Sequence, residues 1–375
     1  MCRIARNASK FKQFIHYNIE LMKHQDLKKE ALELLKKMIE TQSFSSEEEG
    51  TALLIESWFN NHEIPFKRDH HNIWATNKYF EKGKPTLLLN SHHDTVQPNK
   101  AYTKDPFKAI VEDGKLYGLG SNDAGGCLVS LIATFTHFYN QKDLKYNLVI
   151  VASAEEESSG PNGLNSMLDI IPHIDVAIVG EPTLMNLAVA EKGLVVFDAK
   201  VKGTPGHAAH PNDNNAIYNS IEVLKWFQDF KFEKSSESLG DVKMTVTQIK
   251  AGVQHNAVPS EVELVIDVRV NDKYSNQEIA EMLKEQSPCH EIIARGLRLN
   301  SSSIPVEHEL VQAGIAMGRT TYGSPTLSDQ ACLSCPSLKL GPGDSTRSHS
   351  ADEFIYLEEI EDGIDIYINL LTSIF

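Results

Sequence analysis

Three short, almost unbroken apolar runs mark the first half of the chain: Thr86–Leu89, Asn147–Ala152 and Asp175–Val179. Runs of this length without polar alternation suit strands covered on both faces, as in an α/β sheet. Helical spacing fills the intervals. Leu27, Ala31, Leu34, Leu35, Met38 and Ile39 share one face of a helix expected over 25–40; a second helix is expected at about Glu49–Asn60, and Gly126–Tyr139 has the same pattern. Strands alternating with helices predict a largely parallel sheet with crossover connections.

The texture changes near Gly193. Val195–Val201, Met244–Ile249 and Glu263–Val270 alternate apolar and polar residues, the pattern of strands with one wet face. With helices expected at about Asn215–Phe230 and Gln277–Glu285, strand, helix, strand, strand, helix reads as a small α+β unit of about one hundred residues. After Asn300 the α/β texture returns, with a short Leu338–Leu340 segment and a final amphipathic helix near Leu357–Ile374. The expected organisation is an N-terminal extension (1–24), an α/β segment (25–193), an inserted α+β unit (194–298) and a return to the α/β domain (299–375).

Charge and composition exclude several functions. The chain has 36 basic and 51 acidic residues, a net charge of −15, which argues against a nucleic-acid backbone as partner because phosphate binding needs clustered Lys and Arg. No run approaches the roughly 18 apolar residues of a membrane span. Met1–Lys23 lacks an apolar core and cleavage site, so no secretory signal is expected, and Met22, just ahead of the first helix, is an alternative start. Five cysteines do not make a disulfide framework, and Cys332–Cys335 has no second pair to complete a zinc knot; buried thiols in a cytoplasmic protein are the expectation.

Metal-ligand residue types recur at the ends of the expected strands. The first strand runs into Ser91-His92-His93-Asp94, the second into Ala154-Glu155-Glu156-Glu157, and the third into Gly180-Glu181-Pro182-Thr183. Asp123 lies among glycines in Gly118–Gly126, ahead of a helix, and Gly341-Pro342-Gly343 leads to His349. The glycine loop matches neither phosphate-binding pattern. Each piece alone has a plainer reading: a satisfied His–Asp pair, a solvated acidic run, a turn. Their joint occurrence after apolar strands points instead to a ligand set for zinc or a similar divalent ion, since ligands of α/β sheets gather at the carboxyl ends of strands. One carboxylate more than the ligands require is what a metal hydrolase needs as its base.

On these residues the chain resembles the metal-dependent deacylase and carboxypeptidase family that includes acetylornithine deacetylase, succinyl-diaminopimelate desuccinylase and glutamate-type carboxypeptidases. Six ordered motifs carry the likeness from about Asp26 to the C-terminus: His92-x-Asp94, Gly120-Ser121-Asn122-Asp123, Glu155-Glu156-Glu157, Gly180-Glu181-Pro182-Thr183, Gly206-His207, and Gly341-Pro342-Gly343 with His349. The resemblance implies a largely parallel-sheet, zinc-peptidase-like catalytic domain of the α/β class. It also implies two Zn2+ per subunit, with Co2+ as an alternative, and an inserted ferredoxin-like α+β lid that makes a homodimer. Asp123 would bridge the metals, one held also by His92 and Glu181, the other by Glu157 and His349. Asp94 would orient His92, and Glu156 would be the general acid/base, with Glu156 and Glu157 pointing apart on an extended segment. Glu155 stands where the family commonly has Asp.

The same resemblance makes His207 an oxyanion stabiliser reaching the partner subunit's site, and gives Asn256 and Arg269 contacts to the substrate's oxyanion or carboxylate. Arg347, two residues from His349, is an extra cation that could read an acid group on the substrate or form a surface salt bridge. The implied reaction is hydrolysis of an N-acyl amino acid, with N-acetylornithine in arginine biosynthesis first and N-acetyl- or N-succinyl-citrulline as relatives. A dipeptidase or carboxypeptidase of the same family and a metal-free binding protein are the alternatives.

Overall fold

The computed structural model describes residues 24–375, so the expectations for Met1–Lys23, including a start at Met22, lie outside the described residues. The described chain divides into two compact units, one of residues 24–187, 306–321 and 338–375, the other of residues 188–305 and 322–337.

The first unit opens with helix α1 over residues 24–39, which buries Ala31, Leu34, Leu35, Met38 and Ile39, and α2 (Glu49–Asn61), which buries Ile55, Trp58 and Phe59. There follow β1 (Lys67–Asp69), β2 (Asn72–Thr76), β3 (Thr86–His92), β4 (Ile110–Glu112), β5 (Lys115–Tyr117), α3 (Gly126–Phe138), β6 (Asn147–Ser153), the single turn α4 (Leu164–Met167) and β7 (Val176–Val179). The chain continues through β8 (Leu187–Glu191), β9 (Gly193–Lys202), β10 (Gly206–His207), α5 (Ala216–Asp229), β11 (Lys243–Ala251), β12 (Ala257–Val258), β13 (Glu261–Val270), α6 (Asn276–Gln286), β14 (Glu291–Ala294) and β15 (Ser302–Ser303). It ends with α7 (Glu309–Ala316), β16 (Thr321–Ser324), β17 (Ser337–Lys339), β18 (Phe354–Tyr356) and α8 (Leu357–Ile374).

In the first unit the strands lie in the order β1-β2-β6-β3-β7-β17. The central β6, β3 and β7 run parallel, and β2 joins β6 antiparallel. Every residue of β3, β6 and β7 is buried, which is why their sequences show no alternation. Truncating one of these side chains, Leu88→Ala for example, would cost about 2–5 kcal/mol by the usual transfer and cavity terms. The structure extends β3 beyond its apolar run to His92. Its polar tail is accommodated because Asn90 Nδ2 donates to Ser153 Oγ at 2.9 Å and Ser91 Oγ donates to the Gly180 carbonyl at 2.7 Å. Helices α3 and α8 pack on one another, and the Tyr367 hydroxyl on α8 donates to the Leu340 carbonyl. The mixed α/β class with a parallel sheet centre is thus as the apolar runs predict.

The second unit contains a four-stranded antiparallel sheet in the order β11-β13-β9-β14, accompanied by α5 and α6. In chain order this is strand, helix, strand, strand, helix, strand, the split βαβ arrangement of ferredoxin-like units. On β13, Val262, Leu264, Ile266, Val268 and Val270 point into the core while the residues between them are half-buried or exposed. Ser275 and Glu278 close a capping box at the start of α6. The closing strand β14 escapes sequence reading because Glu291–Ala294 is short and does not alternate.

Candidate metal centre

The carboxyl ends of the parallel strands bring the acidic and histidine motifs together. His92 is the last residue of β3, Glu155–Glu157 follow β6, and Glu181 follows β7. Asp123 sits in the turn Ser121–Gly125 that leads into α3. Gly120 opens that turn at φ +75°, where a Cβ would lie 2.6 Å from Thr95 Cγ2, so only glycine is accommodated. His349 follows the helical turn Ser345–Arg347.

His92 Nε2 lies 3.3 Å from Asp123 Oδ1 and 3.8 Å from Glu181 Oε1. His349 Nε2 lies 3.0 Å from Glu157 Oε2 and 3.7 Å from Asp123 Oδ2. One potential ligand atom from each of His92, Asp123 and Glu181 falls within 4.8 Å of the others, and the same holds for Asp123, Glu157 and His349. Asp123 is common to both groups and turns one oxygen to each.

The electrostatics fit a pair of cations. Burial, and next the charge of Asp123, push Glu181 up to about 8. Burial raises Glu157 as well, against its contact with His349. That contact pushes His349 up to about 9. Burial would lower His92, but its contacts with Asp123 and Asp94 outweigh it and raise the imidazole well above its ordinary value. Glu181, Glu157 and the two imidazoles so crowded hold on to protons that they would release to a divalent ion, while, against its burial, the contacts with His92 and His349 keep Asp123 below the ordinary carboxylate range. Nitrogen and carboxylate oxygen are the donors that zinc or cobalt takes.

Asp94 organises this centre from behind. His92 Nδ1 donates to the Asp94 main-chain carbonyl at 3.0 Å and lies 3.3 Å from Asp94 Oδ1, so Nε2, on the side of Asp123, is the nitrogen that would give up its proton to a metal ion. The two Asp94 oxygens accept the N–H groups of Glu156 and Glu157, each at 3.1 Å, and Oδ2 also accepts the Ser45 hydroxyl at 2.6 Å. Glu156 and Glu157 lie in a turn rather than on the extended segment the sequence suggests. Glu155 enters it at φ +55°, and its carboxylate accepts the Asn162 main-chain and side-chain N–H groups at 3.0 Å. The turn, not strand alternation, separates the two side chains. Glu156 Oε2 stands 3.9 Å from His92 Nε2 and belongs to neither ligand group.

Glu353 is a buried carboxylate that sequence reading missed. Its Oε1 accepts the N–H groups of Asn122 and Asp123 at 2.9 and 3.0 Å, and burial followed by the Asp123 charge pushes it up to about 8. In sequence it reads as one more acidic residue ahead of Phe354-Ile355; its place four residues after His349 was the available signal.

The expected substrate residues fare differently. Arg347 directs Nη1 and Nη2 to Glu359 at 2.7 and 3.0 Å and stacks over Phe354 and Tyr356. Its fork is therefore engaged by Glu359, the salt bridge that the sequence offers as one of the two alternatives. Arg269 donates to Asp267, two residues away on the same side of β13, at 2.9 and 3.1 Å. His207 and Asn256 are exposed; the Ala208 N–H donates to the Asn256 carbonyl at 2.9 Å. His207, Asn256 and Arg269 belong to the second unit, whereas His92, Asp94, Asp123, Glu156, Glu157, Glu181 and His349 gather in the first.

The model of peptidase family M20/M25/M40 matches residues 88–373. A succinyl-diaminopimelate desuccinylase of Rickettsia felis is 26% identical, the alignment covering 91% of this chain and 98% of that one. Among solved structures, the M20 family metallo-carboxypeptidase Sso-CP2 of Sulfolobus solfataricus superposes with a TM-score of 0.68 at 17% identity, covering 91% of this chain and 98% of that one. The YXEP protein of Bacillus subtilis, a dinuclear metal-binding peptidase of the M20 family, superposes at 0.72 with 14% identity over 93% and 99%.

Proposed function

This chain belongs to peptidase family M20/M25/M40, a family of metallo-hydrolases, and from that premise we propose that it is a two-metal amidohydrolase that releases the acyl group of an N-acyl amino acid. The observation that carries the reading is Asp123, which offers one oxygen to each of two ligand groups, with Glu156 beside them and outside both.

His92 and Glu181 would hold one ion, Glu157 and His349 the other, and Asp123 both. Zinc is the proposed occupant, cobalt an alternative. When bound, such a pair supplies Lewis acidity and brings the pKa of water toward neutrality. Glu156 takes the proton of the attacking water on its carboxylate and delivers it to the leaving amide nitrogen. Asp94 holds the Glu156 main chain and fixes the His92 tautomer, so base and ligand keep one relative geometry.

His207 is proposed to donate to the developing oxyanion in the site of the partner subunit of a homodimer. Supporting the dimer, α5 exposes Ile217, Tyr218 and Ile221, and β11 is the edge of its sheet. Asn256 and Arg269 are proposed to contact substrate, Arg269 by exchanging Asp267 for a substrate carboxylate.

N-acetylornithine is the proposed substrate. The desuccinylase relatives favour a second reading, an N-succinyl diamino acid. Acetyl- and succinyl-ornithine, citrulline and diaminopimelate, with dipeptides alongside, should be assayed with added zinc or cobalt. Release of acetate from acetylornithine at the highest kcat/KM supports the first reading, and preference for succinyl compounds selects the second. Cleavage of dipeptides alone makes the protein a peptidase, and no turnover with two ions bound overturns the proposal.

A further inference from the structure

We propose that Glu353 is a positioning residue: by accepting the main-chain N–H groups of Asn122 and Asp123, it aims the Asp123 carboxylate between His92 and His349. The inference rests on the two-metal reading and assigns a residue that is itself no ligand.

Glu353 is buried, and its side chain reaches under the turn that carries Asp123. One oxygen, Oε1, receives two consecutive amides, Asn122 at 2.9 Å and Asp123 at 3.0 Å. Its main-chain carbonyl receives a third, from Gly118 at 3.0 Å. The segment from Gly118 to Asp123 is therefore laid over a single residue. That residue is fixed in turn by the ladder beside it, where Phe354 on β18 pairs with Tyr117 on β5. On its other side, Asp352 accepts the Thr103 and Lys104 N–H groups at 2.8 Å, which anchors the segment descending from His349. Asp123 and His349 come from distant parts of the chain, and Glu353 joins their supports.

A carboxylate is a costly group to bury beside another carboxylate. Plain satisfaction of two amides would need only a neutral oxygen at that point. What the turn uses is the reach of a five-atom side chain that ends in an acceptor. Reach and the ionisable group are separable: Glu353→Gln keeps the reach and cannot ionise, whereas Glu353→Asp keeps the carboxyl group and withdraws the oxygen by one methylene.

The experiment compares the wild type with both variants after metal removal. It measures circular dichroism, zinc binding by calorimetry with ions counted by mass spectrometry, and kcat and KM at saturating zinc. The expected result is three metal-free proteins with the same fold. Glu353→Gln binds two ions with near wild-type affinity. Glu353→Asp binds them roughly 10–100-fold more weakly and loses kcat with KM unchanged, the range found for residues that orient metal ligands. Wild-type affinity in Glu353→Asp, or the reverse order of the two variants, overturns the positioning role. A wild-type protein that takes up no pair of ions overturns the two-metal reading instead.

Discussion

The two halves of the candidate centre use the same residue types in opposite surroundings. The inner half, His92 with Asp123 and Glu181, grows from the end of a buried strand, and the His92 side chain is 1% exposed. The outer half, Asp123 with Glu157 and His349, ends on a loop; His349 has φ +58° and a side chain 54% exposed. His92 is oriented by Asp94, whose carboxylate also grips the base segment, whereas His349 depends on a loop stitched by Asn122, Asp352 and Glu353. A strand end cannot shift without disturbing the sheet, and a loop can. On the proposed two-metal reading, the inner half would retain its ion and the outer half would exchange one, with Asp123 as the ligand common to both.

The largest expected effect breaks that asymmetry directly. His92→Ala removes the imidazole from the retained position and leaves Asp123 and Glu181 facing each other. Elemental analysis should find both ions lost and activity abolished, whereas His349→Ala should keep the inner ion. Equal metal content in the two variants would erase the distinction between the halves. Next in size, Glu156→Gln should lower kcat by on the order of 10²–10⁴ with both ions retained, since the base lies outside both ligand groups. Loss of an ion in that variant would make Glu156 a ligand instead.

How far these assignments were legible in the sequence follows from how local each one is. His92 ends a buried strand and Glu157 and Glu181 follow one within a few residues, so apolar runs announce their placement. The second unit's alternation likewise revealed its wet-faced strands. Arg347 was ambiguous because its partner Glu359 lies on the next helix, α8, and nothing in the intervening sequence ties them. Glu353 carries only a faint signal, its place four residues after His349, because its partners are main-chain amides more than two hundred residues away and amides carry no sequence signature. The turn at Glu155–Glu157 was misread as extended because its αL residue is a glutamate rather than the Gly or Asn that usually marks one.

Smaller effects sharpen the comparison. Asp94→Asn should weaken metal affinity roughly 10–100-fold, more for the inner ion, because its contacts are to His92 and the base segment. Isothermal titration that finds the outer ion weakened more would contradict the division. Protonation offers a further contrast in the metal-free protein. The Glu157 carboxylate pushes His349 up to about 9, so it stays protonated at neutral pH. The stability it contributes is present below its ordinary 6.5 and is lost as pH rises through about 9. Because a metal must displace that proton, affinity of the outer half should rise across the same window. Burial lowers His93, the residue after His92 and a member of neither ligand group, to about 4, so it stays neutral while the unfolded chain takes up its proton below 6.5, and its contribution is lost as pH falls. Histidine NMR titrations of the metal-free protein should show these opposite displacements; two histidines titrating together near 6.5 would refute the account of their surroundings.

The most direct test is anomalous diffraction from crystals of the protein loaded with zinc. The account predicts two metal peaks on opposite oxygens of Asp123, the inner touching His92 and Glu181 and the outer touching Glu157 and His349. A single peak, or two that do not share Asp123, would contradict it.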